Sequence, residues 1–146
     1  MNPEEFLVLA QTLCGGTKQA EWRSSVSRAY YSAFHTACIL IESFQVTLPQ
    51  GASAHQKVTY CMQQSKNSEL EAAGRKLNAF REARNAADYQ LDDKQFAKKK
   101  CAETYLAVAQ EIISGIKGAQ GNAEVRRNIR QYAHDTLKLK VHGADG

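Results

Sequence analysis

At 146 residues, with 43% hydrophobic residues, the chain has the length of about one domain and enough apolar content to bury a core without disulfides. A net charge of +4 is too weak to imply a nucleic-acid partner by itself and is compatible with one if the basic residues are clustered. Cys14, Cys38, Cys61 and Cys101 follow neither a CxxC nor a Cys/His ligand spacing, which points to small buried hydrophobes in a reducing compartment and to no zinc or other cofactor.

The opening "MNPEEFLVLA" has no basic leader region and no apolar run long enough to span a bilayer, so a cytoplasmic protein without membrane contact is expected. Asn2, Pro3 and Glu5 form a helix-start pattern, and Gly15 and Gly16 stop that helix. A second helix is predicted from Gln19 to Val46, with Val26, Tyr30, Ala33, Phe34, Ala37, Ile41 and Phe44 on one apolar face. After the loop "TLPQGAS", helices are predicted from Ser53 to Gln64, from Ser68 to Leu91 and from Asp93 to Lys117. With two prolines and no alternating β-branched run, the fold class is all-α, an antiparallel bundle of four to five helices over residues 1–117. "KGAQGNA" suggests a hinge over 118–123, followed by a basic C-terminal helix or arm over 124–146 carrying Arg126, Arg127, Arg130, Lys138 and Lys140. Val125, Ile129, Tyr132 and Leu139 supply that arm with an apolar stripe able to dock on a partner.

The fourth helix holds the most informative anomaly. Its apolar stripe of Leu70, Ala73, Leu77, Phe80, Ala87 and Leu91 skips one step, and Arg84 occupies the gap. A guanidinium withdrawn from water needs a charge partner, a wet cleft or an anionic ligand. Asp88 stands four residues on, and Arg81, Arg84, Asn85 and Asp88 share one side of the helix. An ordinary solvated Arg–Asp pair, or a scaffold in which that pair only links helices or a dimer, explains the spacing equally well. On the second helix Arg28, Tyr31, Ser32 and His35 make a matching polar stripe, with groups suited to phosphate binding and proton transfer. His35 on its own also fits a plain surface histidine, and His55 fits local capping or packing, or a cleft residue.

"RSSVSRAYYSAFHTACILI" (23–41), "SAHQKV" (53–58) and "REARNAADYQL" (81–91) together resemble the HEPN superfamily, in particular its small UPF0332-like branch, over residues 22–105. The resemblance implies a helical bundle, a homodimer, and a gene partner encoding a minimal nucleotidyltransferase. Many such proteins are metal-independent ribonucleases acting as toxins or in phage defence. Their pattern is an arginine, four to six residues, then a histidine. Here Arg84 matches the arginine and Asn85 the polar residue after it, but Tyr89 or Asp88 stands where the histidine belongs, and no histidine occurs between residues 56 and 133.

RNA cleavage through the 2′-hydroxyl needs a base, an acid and a cation. Arg84 and Arg81 provide only the cation, which leaves Asp88, Tyr89 and His35 for proton transfer. The resemblance therefore implies an RNA- or nucleotide-binding protein degenerate in catalysis, using Arg81, Asn85, Arg28 and Tyr31 to bind the RNA or nucleotide, with Arg28, Arg81, Arg84 and the lysines at 98–100 suited to phosphate contacts. Tyr89 is then a candidate acceptor for the partner's nucleotidyl transfer. The alternative is an active endoribonuclease working through Arg84, Asp88, Tyr89 and His35.

Overall fold

The computed structural model describes residues 1–143, which are helical in the main: α1 (Glu4–Cys14), α2 (Gln19–Ser43), α3 (Ser53–Gln63), α4 (Ser68–Tyr89), a 3-10 turn (Lys94–Ala97), α5 (Lys99–Ala119) and α6 (Ala123–Asp135). Among the described residues there is no strand, only an isolated antiparallel bridge between Val46 and Val141. None of these helices is long and apolar enough to cross a membrane.

Local chemistry places most helix starts. Asn2 Oδ1 accepts from the Glu4 N–H at 3.0 Å. The Glu21 carboxylate accepts from the backbone N–H groups of Thr17 and Lys18. Asn67 and Asn122 cap α4 and α6 from outside the helix. α2 is the central element, packed on α1, α4 and α5, while α4 also packs on α3 and α5. The expected apolar face of α2 is buried from Val26 to Phe44, apart from a partly exposed Phe34. Gly74 permits the close α3–α4 approach, because a Cβ there would stand 2.9 Å from that of Met62.

Several helix ends differ from the sequence expectation, and for α2 the reason is long-range. α2 stops at Ser43 rather than Val46, because Gln45 turns to a φ of 63° and residues 45–47 pair with 140–142 through Thr47 N–H to Lys140 O and His142 N–H to Gln45 O. α4 stops at Tyr89, so Leu91 leaves the apolar stripe and is 78% exposed. The fifth helix starts at Lys99 rather than Asp93, because Asp93 caps the 3-10 turn that drives Phe96 into the core.

Within the expected hinge, Gly118 and Ala119 are helical, and the turn is confined to the residues before Asn122. α6 lies on the bundle with Val125, Ile129 and Ala133 buried and Tyr132 and Leu139 half-buried. Arg130, counted among the basic surface of the arm, is 3% exposed and donates to the carbonyls of Phe44, His142 and Gly143. The final residues of that arm, 144–146, lie outside the described residues.

Candidate functional site

The α2–α4 contact builds the site, and a buried arginine sets its geometry. Arg23, 7% exposed, donates from Nη1 to the carbonyls of Ala86, Ala87 and Gln90 and from Nη2 to those of Leu91 and Asp93. Its Nε donates to Gln19 Oε1 at 2.9 Å, and its guanidinium lies 4.8 Å from the centroid of the Phe96 ring. A helix leaves its last carbonyls without intrahelical partners, and here one cation from α2 answers them. The end of α4, and with it Arg84 and Asp88, is thereby held against α2.

One turn along α2, Ser27 Oγ donates to Asp88 Oδ2 at 3.2 Å. Arg84 Nη1 stands 3.6 Å from the same oxygen, close enough for ionic attraction but too far for a hydrogen bond. The Arg84 side chain is only 15% exposed, and its buried Nε has no hydrogen-bond partner. Its guanidinium instead faces two rings, 5.4 Å from Tyr30 and 5.5 Å from Tyr31. Arg28 covers the other part of this cluster, 5.2 Å from the Tyr31 ring and 5.5 Å from Phe6 of α1. Two arginines from different helices thus share one tyrosine ring.

Behind this surface lies a buried pair. Tyr30 Oη and His55 Nδ1 are hydrogen-bonded at 2.5 Å, and His55 is 5% exposed. Burial, with the positive field of Arg81, pulls the His55 pKa down to about 4 against the opposing influence of Asn78. Burial also raises that of the Tyr30 hydroxyl. Both groups are neutral at physiological pH, and the phenol is the better donor to the imidazole nitrogen.

The expected site residues separate into three sets. Arg84, Asp88, Arg28 and Tyr31 converge, and His35 joins them through ring contacts with Tyr31 at 6.0 Å and Phe6 at 5.9 Å. Arg81 and Asn85 are half-buried on α4, and the charge of Arg81 acts on Tyr30 and His55. Tyr89 stands apart at the end of α4, 76% exposed. Ser32, expected on the polar stripe of α2, is fully buried with an unpartnered Oγ, because three helices pack around α2 and leave it a narrow open face.

Sequence reasoning missed Arg23 and Phe6. The step of four from Arg23 to Ser27 offered a signal for the first; nothing local pointed to Phe6, which reaches the site across the α1–α2 contact. No three His, Cys, Asp or Glu side chains among the described residues are grouped to hold a metal ion. No protein-family model, no curated protein and no solved structure matches the chain.

Proposed function

We propose that the chain is a HEPN-like protein of a prokaryotic toxin–antitoxin or phage-defence system, degenerate in catalysis, that binds RNA or a nucleotide through an Arg84/Asp88 cleft, with Arg28 beside it. On this reading it acts as a homodimer, with a nucleotidyltransferase as its protein partner and the exposed Tyr89 hydroxyl open to modification. The observation that carries the proposal is the state of Arg84. It is a mostly buried cation whose Nε–H lacks an acceptor and whose nearby carboxylate lies beyond hydrogen-bond distance. Leaving such a donor unanswered costs about 1–3 kcal/mol, and on this reading the shielded guanidinium turns outward to meet a phosphate, which removes that penalty.

The endoribonuclease alternative draws support from His35, whose pKa is lowered by burial so that it is unprotonated and able to act as a base at neutral pH. Binding is the stronger reading, because the Tyr31 ring lies between His35 and Arg84 and no second proton-transfer histidine faces the cleft.

Anisotropy of labelled single-stranded RNA without divalent metal tests both readings. Binding is expected to weaken steeply with salt, and Arg84→Ala is expected to weaken it about tenfold and to reduce the salt slope by about one. Unchanged binding by a folded Arg84→Ala variant overturns the proposal. Shortened RNA, dependent on His35 and Arg84, selects the ribonuclease.

A further inference from the structure

The open face of α2 continues past Tyr31. Arg28, Tyr31, His35, Cys38, Ile39 and Glu42 follow steps of three and four along α2, with Ile39 beside Cys38, and make one stripe about 20 Å long. Its first half is cationic and meets Arg84 through the Tyr31 ring. Its second half, together with Phe6, Met1 and Pro3 from the start of the chain, lines an open recess of about 350 Å³.

Flat apolar surfaces wall this recess. His35 is exposed, has no hydrogen bond, and stacks on Phe6 with an interplanar angle of 23°. Because partial desolvation against its neighbours lowers its pKa, the imidazole is a neutral heteroaromatic ring at physiological pH. Ile39 is 51% exposed, a large apolar side chain with no protein group covering it. Burial and the charge of Glu42 push the Cys38 thiol up to about 12, so it contributes another uncharged surface. At the far end the exposed Glu42 carboxylate offers only acceptors.

Guanidiniums, then stacked rings, then a carboxylate, in that order along one helix, match the parts of a nucleotide taken from phosphate to base edge. Single-stranded RNA is recognised in just these terms, with bases stacked on aromatic or histidine rings and their Watson–Crick edges hydrogen-bonded. An apolar peptide side chain would fill the recess but leave Arg28 and Glu42 without counterparts.

We infer that the recess receives one unpaired base of an RNA strand whose phosphate lies on Arg28 and Arg84, with Phe6, His35 and Ile39 against the base and Glu42 accepting from its edge. This rests on the reading of the Arg84 cleft as a phosphate site. Guanine fits best, because its adjacent N1–H and N2–H groups pair with both oxygens of one carboxylate. Uracil fits worst, because its single N–H lies between two carbonyls.

The test uses the full chain and oligouridines of about seven nucleotides, within the range of site sizes for single-strand binders, carrying 2-aminopurine, guanosine or an abasic residue at the centre. Stacking is expected to quench 2-aminopurine emission on binding, and His35→Ala and Phe6→Leu are expected to abolish the quench while helical circular dichroism is retained. Guanosine is expected to bind about fivefold tighter than uridine, in keeping with one added edge contact, and Glu42→Gln to remove that preference. If the strands bind in an Arg84-dependent, salt-sensitive way, yet 2-aminopurine stays bright and the abasic strand binds equally well, the phosphate site stands and the base recess falls. If no strand binds at low salt, both readings fall.

Discussion

Arg23 and Arg84 are both withdrawn from water at the α2–α4 contact, and they differ in one respect. Arg23 donates from all three guanidinium nitrogens to six oxygens, five of them carbonyls at or just beyond the end of α4. Arg84, on α4 itself, has an unpartnered Nε, a carboxylate at 3.6 Å and two ring faces. Burial and charge alone would rank the two together. The hydrogen-bond inventory separates them, into a cation whose capacity is spent on holding a helix end and one that keeps capacity for an external acceptor. Arg130 belongs with Arg23, since it too answers backbone carbonyls, at the junction of α2 with the C-terminal segment.

Substitution of Arg23 should break that contrast most visibly. Arg23→Met strands buried carbonyls at the end of α4 and is expected to lower stability by about 3 kcal/mol, read as a reduced urea midpoint. Arg23→Lys should recover little, because three donors on one nitrogen cannot span the same set of carbonyls. A near-neutral Arg23→Met would show that the carbonyls find water instead, and that the two arginines differ less than their hydrogen bonds indicate.

Acid titration sharpens the comparison from beneath Arg84. His55 lies against Tyr30, in the field of Arg81 and Arg84, with a folded pKa of about 4 against an ordinary value near 6.5. Between those values the unfolded chain binds a proton that the folded chain refuses, so stability is expected to fall as pH drops from about 6.5 to about 4 and to level off below. At 1.36 kcal/mol per pH unit the loss is roughly 3 kcal/mol, and His55→Gln should flatten that window in pH-dependent urea unfolding. A slope that persists in the variant would assign the acid sensitivity to other groups.

Arg84 should give the smallest change in stability. Arg84→Met keeps the apolar stem between the tyrosine rings and removes an unanswered donor, so the urea midpoint should shift by no more than about 1 kcal/mol equivalent. A loss as large as that of Arg23→Met would make Arg84 a second structural arginine and weaken its assignment to a ligand.

The helices and their buried faces were legible because they depend on residues three and four apart. The apolar face of α2, the interrupted stripe of α4 and the Asn2 helix start are all such local patterns. Arg84 was legible for the same reason, since a charge in an apolar stripe is an anomaly of spacing. Its surroundings were not. Arg23 contacts carbonyls 63 to 70 residues away, Tyr30 meets His55 across 25 residues, and Phe6 reaches His35 from another helix.

Backbone carbonyls carry no sequence signature, so the fate of Arg23 could be decided only when the packed helices brought the end of α4 beside it. The early stop of α2 at Ser43 arose in the same way, through pairing with residues almost a hundred positions later. Periodicity determined which faces of this protein are buried. Only tertiary packing decided which polar groups meet there, because hydrogen-bond partners are set by distance in space and not by distance along the chain.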